Sequence, residues 1–442
     1  MGKINSKRLN IKNMQAIIEK TKLKIEEVKL NPRNPKKHAD DLIEQSIKET
    51  GYISPIVVDE NNMILTGHGR LNALIKLGYK EVEVIVKKGL TKKQKEKYML
   101  LDNKLTERGG WDAELLKAFD VGDLLEAGFE SEDLNAMWDD VLELDDDGFD
   151  VEKAIREIEK PTVKEGELYQ LGDHRLLCAD STKEKSIAIL MGQDKADMVY
   201  CDPPYNIGLN YSTGIGTSTK YRKDFPDLKF KGVNDNKKAG EYKTFLNATI
   251  KNALVASKKD SHIFYWCDEN SIWLLQQLYK ENKIRPDRVC LWIKNNFNVT
   301  PQKAFNKVYE SCVYGTIGKP YLSKNFKNFN EILNKEIESG NQGLDEILEM
   351  INIWLARRDN TAEYQHPTQK PITLHEKPIK RCTKPGDIIL DLFGGSGSTL
   401  IAAEQTKRRA YLCEIDEIFC QVIIQRFEQY TNKKAVKLAI RG

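Results

Sequence analysis

The stretch DIILDLFGGSGSTLIAAEQ, residues 387–405, combines three patterns: an apolar run, a glycine-rich centre and a run of helix-forming residues. The apolar run predicts a buried strand, the glycine-rich centre a turn, and the last residues a helix. Gly394, Gly395 and Gly397 allow the backbone to turn tightly and to approach a ligand closely, or serve only to pack the helix on the strand. In open α/β sheets, ligands bind beyond the carboxyl ends of the strands. The stretch therefore predicts an α/β fold, with a candidate ligand site at this turn.

The next predicted strand, RAYLCEI at residues 409–415, carries an acid near its end, Glu414. A carboxylate at that place can accept hydrogen bonds from the hydroxyl groups of a ribose. The G-x-x-x-x-G-K-[ST] phosphate loop is absent, which disfavours hydrolysis of a nucleoside triphosphate here. By itself, such a turn fits NAD, FAD or S-adenosylmethionine.

Apolar strand candidates alternate with helical stretches from about Lys164 onward. Near-continuous apolar strands of this kind indicate a largely parallel sheet that is buried on both faces. The predicted strands are residues 174–180, 197–202, 262–268, 288–294, 311–317, 387–393 and 409–415.

The bulk composition predicts a soluble globular protein. The chain has 442 residues, with 40% hydrophobic and 31% charged residues, and no apolar run approaches the roughly 20 residues that span a bilayer. The eight cysteines form no C-x-x-C pair, so we expect no metal site and a reduced, cytoplasmic protein. The net charge of +3 is unevenly distributed and does not exclude a nucleic-acid partner.

A second informative stretch is VYCDPPYN, residues 199–206. Proline lacks a backbone N–H, so Pro203 and Pro204 cannot continue a central strand, whereas their carbonyl groups remain hydrogen-bond acceptors. With Asp202 before them and Tyr205 after them, they predict a rigid turn that is rich in acceptors and lies beside an aromatic ring.

Three motifs, CDPPYN (201–206), HPTQKP (366–371) and DLFGGSGST (391–399), resemble in this order the β class of DNA amino-methyltransferases. The resemblance covers roughly residues 164–433. It implies a Rossmann-like sheet, S-adenosylmethionine as cofactor, and methylation of the exocyclic amine of adenine or cytosine in duplex DNA. Asp202 favours the N6 amine of adenine, because the cytosine-N4 enzymes more often carry Ser at the matching place.

Two alternatives stay open beside adenine methylation. One is cytosine-N4 methylation. The other is a DNA-binding or partition protein without enzymatic activity that retains a relic methylase fold, although the intact Asp202, Tyr205 and glycine set argue against it.

The CDPPYN motif matches the chemistry of an exocyclic base amine, whose lone pair is delocalised into the ring. Acceptors on the amine hydrogens return electron density to the nitrogen, and Asp202 and the Pro203 carbonyl are the expected acceptors. The two prolines, Pro203 and Pro204, fix this geometry in advance. Tyr205 offers a ring face to a flipped base, and such stacking is worth about 1–3 kcal/mol.

The resemblance also implies the cofactor contacts. Glu414 would bind the ribose, and Asp180 would contact the adenine of the cofactor. Lys370, with Thr368 nearby, would lie at the methionine end, where an ammonium group suits a carboxylate. Asp391 would support the glycine turn. The turn residues that would line the cofactor are Phe393, Gly394, Gly395 and Gly397.

Two segments are expected to face DNA. Residues 219–238 interleave basic and aromatic side chains, as a loop that follows phosphates and displaced bases would, or form a solvated basic loop. Residues 319–365 would be the target-recognition region in this class. The candidate DNA contacts in these segments are Lys220, Arg222, Lys223, Arg357 and Arg358.

Residues 23–130 predict a smaller α+β domain, with helices at 42–51 and 71–78 and strands at 56–58, 63–65 and 81–88. The run ILTGHGRLNALIKLGYKEVEVIV resembles the ParB-like fold. Its glycine turn, at residues 67–70, keeps one arginine only, and therefore departs from the nucleotide-binding pattern of ParB proper. Arg70 is a candidate for a DNA phosphate contact or for capping of the following helix.

The predicted organisation is therefore a ParB-like domain at 23–130, an acidic linker at 131–163 and a methyltransferase domain at 164–442. The acidic run at 139–150 is read as a linker or a solvated helix face. The expected partner is double-stranded DNA, with no membrane partner. Three points stay open: whether the chain forms a homodimer, whether it belongs to a restriction-modification pair with a cognate nuclease, and whether it is an orphan enzyme.

Overall fold

The computed structural model describes residues 18–34, 36, 40–108, 111–138, 142, 144–207, 236–294, 307–323, 351–356 and 370–439. The chain divides into two compact units. The first unit consists of the chain up to Phe119 and the short segment Glu126–Gly128. The second unit consists of Asp120–Leu125 and Phe129–Gly442.

The first unit contains a four-stranded sheet in the order β1-β4-β2-β3. Its strands are β1 (Ile18–Lys24), β2 (Ile56–Asp59), β3 (Ile64–Thr66) and β4 (Glu81–Lys87). Its helices are α1 (Asp40–Thr50), α2 (His68–Lys76), α3 (Lys92–Arg108) and α4 (Ala113–Leu116). In β4, Val82, Val84 and Val86 point into the core and alternate with the less buried Glu83 and Ile85, as the period of a half-buried strand predicts. The α+β expectation for this unit is confirmed.

Arg70 lies in the first turn of α2 and contacts the backbone of its own unit. Its guanidinium group donates hydrogen bonds to the carbonyl of Ser54, at 3.0 Å, and to that of Pro55, at 3.4 Å. This geometry gives Arg70 a structural role, and its contact with DNA phosphate stays a prediction.

The second unit is built on a ten-stranded sheet in the order β11-β9-β10-β8-β7-β12-β13-β6-β5-β14. The five central strands, from β8 to β6, run parallel, and β10 is antiparallel to both of its neighbours. The expectation of a largely parallel α/β sheet is confirmed for this centre. The strands are β5 (Leu168–Leu171), β6 (His174–Cys178), β7 (Ala196–Cys201), β8 (Ser257–Cys267), β9 (Arg285–Ile293), β10 (Tyr309–Ile317), β11 (Ile353–Leu355), β12 (Ile388–Asp391), β13 (Arg409–Glu414) and β14 (Val436–Leu438).

Helices cover both faces of this sheet. On one face lie α8 (Glu184–Met191), α9 (Ala239–Ala256) and α10 (Ile272–Glu281). On the other lie α11 (Glu376–Cys382), α12 (Ser398–Gln405) and α13 (Glu417–Thr431). Successive residues of β7 enter opposite cores, Tyr200 one and Cys201 the other, which explains why this strand is apolar throughout.

Three further helices precede this sheet in the chain: α5 (Val121–Glu126), α6 (Ser131–Trp138) and α7 (Val151–Glu157). Helix α7 falls within residues 131–163, for which the sequence predicts an acidic linker. Its apolar side chains Val151 and Ile155 pack against Ile418 and Val422 of α13. This part of the predicted linker is therefore folded onto the second unit, because it carries apolar residues at helical spacing.

All eight cysteines are buried and free of disulfides. Across the described ranges, no helix combines the length and apolarity needed to cross a membrane. The described side chains also contain no group of three or more His, Cys, Asp or Glu residues that could hold a metal ion.

Candidate active site

Acidic side chains form a row at one edge of the central sheet. Strands β6, β13, β12 and β7 are parallel neighbours, so their carboxyl ends lie at the same edge. Asp391 and Glu414 are the last residues of β12 and β13, and Asp180 and Asp202 follow β6 and β7 closely. The sheet thus brings together four acids that the sequence predicts as site residues.

The glycine turn follows β12 and needs glycine at its core. Gly397, with φ of +83°, is the N-cap of α12, and Gly395 has φ of +50°. A Cβ atom on Gly394 or Gly397 would lie 3.1 Å from the side chain of Ile423 on α13. The turn is therefore packed tightly from behind, and its backbone is the surface that it offers to a ligand.

Asp391 holds this turn to the helix that follows. Its Oδ1 accepts a hydrogen bond from the N–H of Phe393 at 3.0 Å, and its Oδ2 accepts one from the hydroxyl of Thr399 at 2.8 Å. Burial raises the pKa of Asp391 to about 8. This arrangement fits the supporting role that the resemblance implies.

Glu414 faces the same turn from the neighbouring strand. Its Oε2 accepts a hydrogen bond from the N–H of Gly395 at 2.7 Å, and its Oε1 accepts one from the N–H of Asp416 at 2.9 Å. Burial raises the pKa of Glu414 to about 7. Asp180 is held by its own loop, since its Oδ1 accepts hydrogen bonds from the N–H and the hydroxyl of Thr182, at 2.9 and 2.7 Å.

The CDPPYN turn leaves the sheet at the end of β7. The hydroxyl of Tyr205 donates to Oδ1 of Asp202 at 2.9 Å, and the hydroxyl of Tyr242 donates to the carbonyl of Pro204 at 3.0 Å. Within the part of the chain that the structure describes, the carbonyl of Pro203 receives no hydrogen bond. The turn is therefore fixed by its neighbours, and the Pro203 carbonyl remains able to accept a new donor.

Lys370 enters this turn from a distant part of the chain. Its buried ammonium group donates to Oδ2 of Asp202 and, at 3.0 Å, to the hydroxyl of Tyr205. The resemblance placed Lys370 at the methionine end of the cofactor, whereas in this structure its partner is the acid of CDPPYN. The same ammonium group lies 4.7 Å from the ring centre of Trp266 on β8.

Glu310 completes the cluster and was not predicted from the sequence. Its Oε2 lies 3.2 Å from the Tyr205 hydroxyl and 3.5 Å from Nζ of Lys370, and its Oε1 pairs with Lys294. Glu310 is the second residue of the antiparallel strand β10, and the residue after it, Ser311, lies opposite Cys267 of β8. This register brings the start of β10 to the carboxyl edge of the parallel strands.

The charges in the cluster balance. Burial raises the pKa of Asp202, and the ammonium of Lys370 opposes that effect without cancelling it, so the net pKa of Asp202 is raised. Burial lowers the pKa of Lys370, but Asp202 and Glu310 outweigh it, so the net pKa of Lys370 is raised. Burial likewise raises the pKa of Glu310, but Lys370 and Lys294 outweigh it and lower that pKa to about 2. Two carboxylates thus face two ammonium groups.

Comparison with known families bears on the strands of this sheet from β7 to β13. The model of the family described as DNA methylase matches residues 196–426, which is more than half of the chain. The chain belongs to the DNA methylase family. A second model, the ParB N-terminal domain, matches residues 7–104 of the same methylase. The expectations of a DNA methyltransferase, of S-adenosylmethionine as its methyl donor and of a ParB-like N-terminal region are confirmed.

Individual relatives of this DNA methylase share its sequence at moderate identity. The Type II methyltransferase M2.MboI of Moraxella bovis is 29% identical over 53% of this chain and 81% of its own length. The DNA adenine methyltransferase YhdJ of Escherichia coli (strain K12) is 25% identical over 56% of this chain and 81% of its own. The crystal structure of the M1.HpyAVI–SAM complex aligns with 57% of this chain and 97% of its own, at 17% identity and a TM-score of 0.38.

His375 of this methylase is a further residue that the motifs did not single out. Its Nδ1 lies 3.1 Å from the hydroxyl of Tyr200 on β7, and its Nε2 lies 2.9 Å from the hydroxyl of Ser398 on α12. Burial lowers the pKa of His375 to about 3, so the ring is neutral at physiological pH. It connects the strand before the CDPPYN turn with the helix after the glycine turn.

Several predicted residues of the methylase lie outside the described ranges. One is the cofactor candidate Thr368, and the others are candidate DNA contacts. They are Lys220, Arg222, Lys223, Arg357 and Arg358.

Proposed function

We propose that this DNA methylase transfers a methyl group from S-adenosylmethionine to the N6 amine of a flipped adenine in duplex DNA. Two observations favour adenine over cytosine. The acid of the CDPPYN motif is Asp202, where the cytosine-N4 enzymes more often carry Ser. The relative YhdJ is named as a DNA adenine methyltransferase.

The observation that carries the proposal is the adjacency of two turns. Strands β7 and β12 pair in parallel, with Val199 opposite Leu390. The CDPPYN turn and the glycine turn therefore leave the sheet side by side, at its carboxyl edge. A base amine held by the first turn would lie next to a cofactor held by the second.

Residues of the second turn and its neighbours fit S-adenosylmethionine. We assign the ribose hydroxyls to Glu414, the adenine of the cofactor to Asp180, and the lining of the site to Phe393 and the glycine turn. Bound there, the cofactor supplies an electrophilic methyl group on a sulfonium. The close packing of Ile423 behind Gly394 and Gly397 supports this assignment, because it leaves the backbone face of the turn for a ligand.

The first turn activates and orients the base amine. Each oxygen of a carboxylate carries two lone pairs. Tyr205 occupies one position on Oδ1 of Asp202 and Lys370 one on Oδ2, so each oxygen keeps a place for an amine hydrogen. The carbonyl of Pro203 supplies the second acceptor. We assign to Lys370 the role of keeping Asp202 ionised inside a buried site.

Tyr205 has two roles in this proposal. Its hydroxyl is fixed between Asp202 and Glu310, which also fixes the plane of its ring. That ring is the face on which the flipped adenine stacks, with about 1–3 kcal/mol available per stacked base.

The domain bounds and the cellular location are also proposals. We propose the division into a ParB-like domain at 23–130, a connecting segment at 131–163 and a methyltransferase domain at 164–442, with target recognition at 319–365. We also propose a cytoplasmic location, which the eight reduced and buried cysteines support. Pairing with a cognate nuclease and a homodimeric state are open to direct test.

The test is incubation of the purified chain with labelled S-adenosylmethionine and DNA of mixed sequence, followed by digestion to nucleosides. We expect label in N6-methyladenine, and none from an Asp202→Ala variant that still binds the cofactor. Label in N4-methylcytosine would show that the target base is cytosine and not adenine. Cofactor binding without any labelled duplex would instead support a relic methylase.

A further inference from the structure

The glycine turn is held from behind by α13. Ile423 fills the space beside Gly394 and Gly397. Arg426, three residues later on the same helix, donates a hydrogen bond from Nη1 to the carbonyl of Ser396 at 3.0 Å. The conformation of the turn therefore depends on where the guanidinium group of Arg426 points.

Asp147 sets the direction of that guanidinium group. Nε of Arg426 lies 2.5 Å from Oδ2 of Asp147, and Nη2 lies 2.9 Å from Oδ1. This two-point contact occupies one edge of the guanidinium and leaves Nη1 facing Ser396. Both side chains are 1% exposed, so neither charge is tolerable without the other.

Asp147 belongs to residues 144–150, which we call the acidic strap. Leu144 is buried in the core of the second unit. The backbone N–H and carbonyl of Asp145 pair with the side-chain amide of Gln405, the last residue of α12, at 3.2 and 2.9 Å. Phe149 packs beside α7 and α13. The strap is thus fixed against the two helices that flank the glycine turn. Asp145, Asp146 and Asp150 are exposed, as in a solvated acidic run, whereas the side chain of Asp147 is buried.

We propose that Asp147 is a positioning residue for the cofactor: through Arg426 it fixes the Ser396 carbonyl, and with it the turn that takes S-adenosylmethionine. The inference rests on the proposed cofactor role of that turn. The acidic strap lies outside every methylase motif, yet it governs cofactor affinity without touching the cofactor.

The test compares Asp147→Asn with Asp145→Asn in the full chain. Both variants remove one negative charge from the acidic strap, but among the described residues the hydrogen bonds that tie Asp145 to α12 are made by its backbone, and its side chain is exposed. We expect Asp147→Asn to raise the Kd and KM for S-adenosylmethionine roughly tenfold or more, with kcat at saturating cofactor within about twofold of the parent. Asp145→Asn should retain the parent's Kd, measured by calorimetry.

A purely structural role would give a different result. It would lower the folded fraction, and hence the apparent kcat, while the folded molecules kept the parent's Kd. That outcome would overturn the inference.

A second variant carries the test if Asp147→Asn does not fold. Asp147→Leu combined with Arg426→Met removes both charges, a replacement that buried ion pairs commonly tolerate. With its fold verified by thermal unfolding, this double variant should show the same loss of cofactor affinity, and the parent's affinity would overturn the inference. A parent chain that binds no S-adenosylmethionine would instead overturn the proposed function.

Discussion

Lys370 donates a hydrogen bond to the carboxylate of Asp202, although 168 residues separate them in the chain. The side chain of Lys370 is buried and that of Asp202 is partly buried, and Glu310 lies 3.5 Å from the Lys370 ammonium. Burial alone would favour the neutral acid, which is a poorer acceptor for an amine hydrogen. Lys370 opposes this effect of burial on the pKa of Asp202, which nevertheless stays above its ordinary value, and so favours the ionised form that the proposed reaction needs.

Replacing this lysine should shift the pH dependence of methylation. In Lys370→Met, burial and Glu310 raise the pKa of Asp202 with no ammonium to oppose them. At neutral pH we expect kcat to fall roughly 100-fold, and to recover in part as the pH rises and the acid ionises. Removing one partner of this ion pair should also destabilise the fold, so thermal unfolding should accompany the pH profile.

The matched control is Lys243→Met, which removes a lysine from an exposed ion pair with Glu281 on α10. It should keep the parent's pH profile. If Lys370 serves the methionine carboxylate of the cofactor instead, Lys370→Met will weaken cofactor binding and leave the pH profile in place.

Glu310 should affect the chemical step and not cofactor binding. Its carboxylate attracts Lys370 and lies 3.2 Å from the hydroxyl of Tyr205. Glu310→Gln keeps the shape but removes the charge, and we expect a fall in kcat of about tenfold with an unchanged Kd for S-adenosylmethionine. Glu269→Gln is the control, because Glu269 accepts a tyrosine hydrogen bond near the same edge, from Tyr309 at 2.7 Å. Equal kinetics in both variants would contradict a role for Glu310.

Glu414 should make cofactor binding depend on pH. Burial raises the pKa of Glu414 to about 7, so the carboxyl takes up a proton as the pH falls below that value. Ribose hydroxyls donate more strongly to the ionised form, so affinity should weaken below pH 7, by up to about tenfold per unit. In Glu414→Gln, the loss of affinity that comes from protonation of residue 414 should disappear. The ligand's own titration affects both proteins equally, so the difference between their profiles reports on Glu414.

The raised pKa of Glu414 affects stability in the opposite direction from cofactor affinity. A carboxyl with a higher pKa in the folded state binds its proton more tightly there, so the free energy of unfolding falls as the pH rises from about 4.5 to 7. Chemical denaturation across this range should show a smaller fall for Glu414→Gln. An identical slope in the two proteins would contradict the assigned pKa.

The glycine turn should tolerate no side chain at Gly397. An added Cβ would be placed 3.1 Å from Ile423, at a φ of +83°. Gly397→Ala should therefore weaken cofactor binding by about tenfold or more, beyond the roughly 1–2 kcal/mol of backbone strain. In the control, Gly192→Ala, the φ is also positive, but the nearest atom is 3.6 Å away on Arg175. Gly192→Ala should lower the free energy of unfolding but keep the parent's Kd for S-adenosylmethionine. Calorimetric titration of both variants would measure these Kd values.

Sequence patterns predicted the parts of this site that depend on single segments. The apolar runs located the central strands, and the motifs with the family resemblance gave Asp180, Asp202, Asp391 and Glu414 as separate site residues. The structure brings these acids to one edge, because the parallel strands end there. The short strands β5, β11 and β14 were missed, since LYQL, IWL and VKL are too brief to show a period.

The pairings across the chain could not be predicted in this way. Glu310 reaches the site through the register of an antiparallel strand, which local patterns do not encode. Asp147 lies in an acidic run that resembles a solvated segment, and its buried partner Arg426 is 279 residues away. Lys370 was expected at the cofactor, because its motif gives its neighbourhood but not the atom that it contacts.

Tyr205 allows its two proposed roles to be separated. Tyr205→Phe keeps the ring and removes the hydroxyl between Asp202 and Glu310, so we expect kcat to fall about tenfold with an unchanged KM for duplex DNA. Tyr205→Ala also removes the ring, and should add a rise in KM that matches the loss of about 1–3 kcal/mol of stacking. Steady-state kinetics would use a duplex whose methylated sequence has first been identified by methylation-sensitive sequencing. Equal KM values for the two variants would refute stacking on Tyr205, and parental kcat in Tyr205→Phe would refute the role of the hydroxyl.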